Sequence, residues 1–171
     1  MGKIIIKKSD ITKEECDCIV NASNTSLRGG GGVDGAIHRA AGPTVLAECI
    51  KIGGCKTGDA VITNAGNLKV KKIIHTVGPV WHGGKAKEAQ LLRSAYQNSF
   101  GLARKNNLKS IAFPAISTGA YGYPIEEATA IALEEGFKFK DDFDEICYIC
   151  FSKSDLEIYE REFEEIFPHD L

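Results

Sequence analysis

The sequence predicts an α/β fold: a mostly parallel sheet covered by helices on both sides. Two observations carry that expectation. Short apolar runs rich in Ile and Val recur along the chain, and between them lie longer stretches with apolar residues at helical spacing. The runs near the middle are apolar at consecutive positions, as strands buried on both faces are.

Taken in order, Lys3–Lys7 and Cys18–Val20 read as strands, each short, β-branched and bounded by polar residues. Val33–Ala41 and Pro43–Ile52 read as helices, the second stopped by Gly53-Gly54. Ala60–Thr63 and Lys72–Thr76 are strands, Glu88–Asn106 a long helix, and Ser110–Phe113 a strand. Pro124–Glu135 is a helix with Pro in its first turn and Glu126 and Glu127 after it, where the helix dipole favours acids. Glu145–Phe151 is the last strand. Ser154–Phe167 is the last helix, with Ser154 as its N-cap and Leu156, Tyr159, Phe163 and Ile166 forming a stripe that should pack on the sheet.

Composition narrows the function. A length of 171 residues without a linker-like tract is expected to form a single domain, residues 1–171. A hydrophobic share of 43% and a charged share of 26% suit a packed core without a metal or disulfide staple. A net charge of −2 argues against broad nucleic-acid binding, which needs clustered Lys and Arg. The start, MGKIIIKKSD, lacks the apolar core of a signal peptide, and no stretch reaches the ~20 apolar residues of a membrane span. The expected compartment is the cytoplasm, with six reduced cysteines.

In open α/β sheets, ligands bind beyond the carboxyl ends of the strands. The loop after Val20 runs from Asn21 through Asn24 and Arg28 to Gly29-Gly30-Gly31-Gly32, then Val33 and Asp34 at the start of a helix. Four glycines before a helix cost backbone entropy; close approach of main-chain amides to a phosphate is one reason for them, and a flexible turn is the other. No Gly-Lys-Ser/Thr ending makes this a P-loop. The loop after Phe113, Pro114 to Pro124, again mixes glycine with Ser117 and Thr118, and suits a second phosphate or ordinary turn packing.

Several segments then stand in one order: Ser9-Asp10-Ile11-Thr12, Val20-Asn21-Ala22-Ser23-Asn24, Gly29 to Asp34, Gly35-Ala36-Ile37-His38-Arg39-Ala40-Ala41-Gly42, Ile74-His75-Thr76-Val77-Gly78-Pro79 and Phe113 to Gly122. With Thr57-Gly58-Asp59-Ala60 they resemble the motifs of MacroD-like macrodomains, over about Lys3 to Phe167. The resemblance is to bacterial O-acetyl-ADP-ribose deacetylases of that class. It implies a three-layer α/β/α macrodomain with a mixed, mostly parallel central sheet. It also implies an ADP-ribose-binding hydrolase that removes mono-ADP-ribose from Glu and Asp esters of proteins and deacetylates O-acetyl-ADP-ribose. No cofactor is implied.

The resemblance assigns roles by position. Asp10 would accept from the adenine amino group with Ile11 beside it, and Phe151 would pack on the ring; read without the resemblance, Phe151 is a core residue. Gly30, Gly31, Gly32 and Val33 would share the diphosphate with Ser117, Thr118, Gly119, Ala120 and Tyr121. Asn24 would contact the distal ribose and Asp34 would position or activate water. Asp34 is also what favours a hydrolase over a non-catalytic reader of ADP-ribose or ADP-ribosylated protein, since binding a dianion gains nothing from a nearby carboxylate.

Ser9 stands where the family usually has Gly, which puts the local backbone in question, and Ser23 where it often has Ala. Arg28, before the glycines, is read as pointing to solvent. Cys16-x-Cys18 and Cys147-x-x-Cys150 have metal-motif spacing, but the second pair lies on an expected strand, where residues three apart point to opposite faces; the cysteines are read as core thiols and no metal is expected. His38 and His75 are assigned structural roles, with no evident nucleophile or second histidine partner for either, and Trp81 is read as a loop anchor.

Overall fold

The structure, a computed structural model, describes residues 2–168. Its strands are β1 (Lys3–Lys8), β2 (Cys18–Ala22), β3 (Ala60–Asn64), β4 (Lys72–Thr76), β5 (Ser110–Phe113) and β6 (Glu145–Cys150). Its α-helices are α1 (Gly32–Ala41), α2 (Pro43–Ile52), α3 (Glu88–Lys105), α4 (Ile125–Phe139) and α5 (Lys153–Ile166). Single 3-10 turns cover Ile11–Lys13 and Lys140–Asp142.

The strands form one six-stranded sheet in the order β1-β6-β5-β2-β4-β3. Every neighbouring pair is parallel except β3 with β4. This is the mixed, mostly parallel sheet expected, and period-2 alternation explains why both its faces are buried. Along β6, Ile146, Tyr148 and Cys150 join the core beneath α3, α4 and α5, with Leu92, Tyr96, Phe100, Ala132 and Tyr159. Cys147 and Ile149 enter the opposite core with Ile19, Ile73, Ile37 and Val45, beneath α1 and α2. The two cysteines of the last pair therefore face away from one another, and all six thiols are free. Each large side chain removed from water contributes on the order of 1.5–3 kcal/mol, so the sheet is held from both sides.

Some boundaries differ from expectation. The α5 N-cap is Ser152, whose hydroxyl accepts from the Asp155 amide at 3.1 Å, rather than Ser154. Pro124 occupies the N-cap of α4 and that helix runs on to Phe139, beyond Glu135. The last strand stops at Cys150, which leaves Phe151 outside it. Most consequentially, β2 extends through Asn21 and Ala22, which pair in register with His75 and Thr76 of β4. The polar Asn21 does not stop the strand because parallel ladder bonds come from the backbone, whatever the side chain.

The topology also makes a cleft. From β2 the chain passes through α1 and α2 toward β3 and β4, while from β5 it passes through α4 on the other face toward β6. The loops leaving the adjacent strands β2 and β5 thus part in opposite directions, the switch point at which ligands bind in open α/β sheets.

Candidate active site

A cavity of about 1080 Å³ opens at the carboxyl ends of the strands. It is walled by Ser9 to Thr12 after β1, Ala22 to Asn24 and Gly30 to Asp34 after β2, Gly78 after β4, Pro114 to Tyr121 after β5, and Phe151 after β6. Every residue expected in the site therefore lines this cavity. Ala36, Arg39, Ile125 and Asp155 line it too; Ala36 and Arg39 fall within the Gly35 to Gly42 segment without a role assigned to either, and Ile125 and Asp155 are ordinary helix residues until the fold brings them to the rim.

At one end, Asp10 caps the Ile11–Lys13 turn: its Oδ1 accepts from the Thr12 amide at 3.0 Å and the Thr12 hydroxyl at 2.6 Å. The hydroxyl and amide of Thr12 hold the Asp10 carboxyl below the usual range, so it is an anionic acceptor at neutral pH. Ile11 is buried beneath it. Phe151 is 92% exposed, so its core reading is corrected: the strand ends one residue earlier and its ring is left on the cavity wall. Ser9 keeps a negative φ, and its backbone is the ordinary kind that any residue adopts.

The middle of the cavity is built from main chain. Gly31 is the N-cap of α1 with no side-chain cap, so the first amides of the helix have no partner within the helix and face anionic ligands favourably. A Cβ at Gly35 would run into the Gly30 carbonyl, which is how the glycine strip folds back on the helix. Opposite it, Ser117 adopts φ 68, and its hydroxyl is buried without a partner among the described residues. An unsatisfied hydroxyl in a strained residue marks a place where a ligand acceptor would be welcome. Gly78 is required beside it, because a Cβ there would strike the Ser117 hydroxyl and Ile116. Trp81 holds this loop from behind: its amide donates to the Tyr121 carbonyl at 2.8 Å and its ring lies 4.6 Å from that of Tyr123. The Trp81 segment is in turn gathered by Glu88, which accepts from the amides of His82, Gly84 and Ala86. Burial pushes the Glu88 carboxyl up, but these amides outweigh it and hold it at about 2.

At the far end lie Asn24 and Asp34. The Asn24 carboxamide is largely engaged in holding its own loop, accepting from the Ser26 hydroxyl at 2.7 Å and the Leu27 amide at 3.1 Å and donating to the Gly29 carbonyl at 3.1 Å. Arg28, in the same loop, is exposed as expected. Asp34 is 5% exposed in the first turn of α1. Its Oδ1 accepts from Asn21 Nδ2 at 2.8 Å and lies 3.4 Å from His38 Nε2. Its Oδ2 has no hydrogen-bond partner among the described residues and lies against Gly30, where a Cβ would stand 3.5 Å away.

The two histidines lie side by side, contrary to their reading as lacking a second histidine nearby, although both ring nitrogens of His38 are buried without a hydrogen bond among the described residues. Their rings are 6.0 Å apart, and His75 Nδ1 is 3.1 Å from Asn21 Nδ2. His38, Cys49 and His75 bring their donor atoms within 4.8 Å of one another. Both His75 nitrogens are already engaged, by Asn21 and by the Thr63 hydroxyl, and burial pushes the Cys49 thiol up to about 11, with Asp34 and Glu48 adding to it. That set is arranged for hydrogen bonding rather than for holding a metal.

The macro domain family pattern matches residues 20–132. The chain belongs to the macrodomain family. This macrodomain is 55% identical over 159 residues to the O-acetyl-ADP-ribose deacetylase of Klebsiella pneumoniae, across 89% of this chain and 91% of the relative. A solved Oceanobacillus iheyensis macrodomain with ADP superposes with a TM-score of 0.88 at 43% identity, covering 94% of this chain and 90% of that one. A Trypanosoma brucei macrodomain in complex with ADP-ribose gives a TM-score of 0.87 at 43% identity, covering 92% and 68%. Among the described residues, no helix of the macrodomain is long and apolar enough to cross a membrane.

Proposed function

We propose that this macrodomain, one domain over 1–171, binds ADP-ribose in the described cavity. In this proposal it hydrolyses mono-ADP-ribosyl esters of protein Glu and Asp, and O-acetyl-ADP-ribose, in the cytoplasm. Adenine lies between Phe151 and Ile11 with its amino group on Asp10. The diphosphate takes the amides of Gly30 to Val33 and of Ser117 to Tyr121, so a protein of net charge −2 binds a dianion through oriented N–H groups. The distal ribose reaches Asn24 and Asp34.

The placement of Asp34 carries the catalytic part. A reader would gain nothing from a buried carboxylate at the end of an anion cradle, whereas a hydrolase needs an acceptor for a proton of water. Oδ1 is held by Asn21, and Oδ2 lies beside Gly30, in a residue that lines the cavity. In the protein ester, water adds its oxygen to the anomeric carbon, the bond to the ester oxygen breaks, and the Glu or Asp carboxylate leaves with the bonding pair. In O-acetyl-ADP-ribose, water adds to the acyl carbon, acetate forms, and the ribose oxygen takes the proton. The first route needs no general acid, because a carboxylic acid has a pKa near ~4 and leaves as its anion. A serine alkoxide would need a proton donor, so a Ser-linked ADP-ribose is not turned over.

The test is release of ADP-ribose from a Glu-ADP-ribosylated protein, with a Ser-ADP-ribosylated protein and O-acetyl-ADP-ribose in parallel. The expected result is turnover of both esters and not of the Ser linkage. Tight ADP-ribose binding without hydrolysis of either ester would establish the reader instead. A separate expectation concerns adenine: Phe151→Ala should weaken ADP-ribose binding by about 1–3 kcal/mol, the worth of one stacked base. Its melting temperature should stay unchanged, since the ring is solvent-exposed; calorimetric titration with an unaltered affinity would remove Phe151 from the site.

A further inference from the structure

We infer that Asn21 and His75 are positioning residues for the reaction, joined with Thr63 in a one-directional hydrogen-bond relay that aims Asp34 at water. The inference rests on the hydrolase reading. Its starting point is the β2–β4 register, which sets Asn21 directly beside His75 on the face covered by α1 and α2.

Each direction in the relay is forced. A carboxylate only accepts, so the group 2.8 Å from Asp34 Oδ1 must be the Asn21 amide nitrogen and not its oxygen. The same nitrogen has a second hydrogen and lies 3.1 Å from His75 Nδ1, which must therefore be the unprotonated, accepting nitrogen. The ring proton then sits on Nε2, 2.9 Å from the Thr63 hydroxyl. That hydroxyl donates onward to the Asn64 carbonyl at 2.9 Å, a group that can only accept, and so has its lone pairs free for His75. Carboxylate at one end and carbonyl at the other leave one arrangement of protons.

Two further observations favour a working role over simple packing. Asn21 is fully buried, and its Oδ1 has no hydrogen-bond partner among the described residues, a desolvation cost that an apolar residue at this position would avoid. The tertiary fold tolerates that cost at the one strand position whose amide reaches Asp34. Burial first, and the neighbouring His38 second, push the His75 pKa down to about 3 against the pull of Glu48, so the ring stays neutral and keeps its acceptor at working pH. Cys49 Sγ, 3.8 Å from Nε2, closes the remaining side.

The experiment measures turnover and ADP-ribose affinity for His75→Leu, His75→Asn and Thr63→Val, together with the His75 ring nitrogens by long-range 1H–15N NMR. The Asn side chain places an oxygen near the position of Nδ1, so it keeps the acceptor for Asn21. Expected are a loss of about 10–100-fold in kcat for His75→Leu with affinity nearly unchanged, as for other outer-sphere partners of a reactive group. His75→Asn should recover most of that loss. Thr63→Val, which removes only the hydroxyl, should lower kcat less and mix the two tautomers. Wild-type NMR should show Nε2 protonated and Nδ1 bare at pH 7. The relay is overturned if Nδ1 carries the proton, if Asn rescues no better than Leu, or if affinity falls in step with kcat. Should His75→Leu fail to fold, the Asn and Val variants decide. Should the wild type hydrolyse neither ester, the hydrolase reading fails, and the tautomer alone decides whether the relay exists.

Discussion

Asp34→Ala should reduce ester hydrolysis by about 10²–10⁴-fold, the range that a positioned acid–base group contributes. ADP-ribose affinity should hold or rise, because the substitution removes an anion from beside the diphosphate. The two effects part because Asp34 is arranged to be worth little in the bound ground state and much once water begins to lose a proton. The variant also strands the Asn21 amide, buried and without its acceptor, so a stability loss of about 1–3 kcal/mol should accompany it. Asp34→Asn is the companion variant, since it keeps the volume but loses the basicity. Both should bind ADP-ribose with similar heat while releasing it from a Glu-ADP-ribosylated protein at a rate lowered to the same extent. Wild-type turnover in either would end the assignment of Asp34 as the water-activating residue.

The second large effect is on stability in mild acid. The His75 pKa falls from 6.5 to about 3 on folding, through burial first and His38 second. Between those values the unfolded chain binds a proton that the folded chain refuses, so folding becomes less favourable as pH falls from about 6.5 toward about 3. The slope approaches ~1.4 kcal/mol per pH unit, and by pH 5 the loss amounts to about 2 kcal/mol. Glu88 adds a second loss at lower pH: its depressed pKa gives stability that is present above about 4.5 and disappears as pH falls toward about 2. Urea unfolding at pH 7, 6 and 5 should therefore show a steady decline in the wild type. His75→Asn, which cannot take up a proton, should start lower and decline less over the same interval. Parallel curves for the two proteins would show that His75 does not carry the acid sensitivity.

Much of the architecture was legible because it rests on local rules. The consecutive apolar residues of Lys72–Thr76 and Ser110–Phe113 announce strands buried on both faces, and the stripe from Leu156 to Ile166 announces a helix lying on the sheet. The opposed faces of Cys147 and Cys150 follow from strand alternation alone. The glycine strip and the Ser117 loop stood out in the sequence for the same reason, since glycine clusters at strand-to-helix junctions are local features, although a phosphate cradle and a plain turn both fitted them.

What the sequence by itself determined, then, is the α/β class, the two loops and the carboxylate that follows the glycines. Tertiary structure decided the rest. Whether Phe151 is core or exposed depends on where β6 ends, and one residue of strand separates the two outcomes. Asn21 and His75 are 54 positions apart, and only the pairing of β2 with β4 makes them neighbours. A polar residue in an otherwise apolar parallel strand was the available signal, but it does not name its partner. Contact between distant residues is set by strand order and register, which are properties of the whole packed sheet and not of any segment within it.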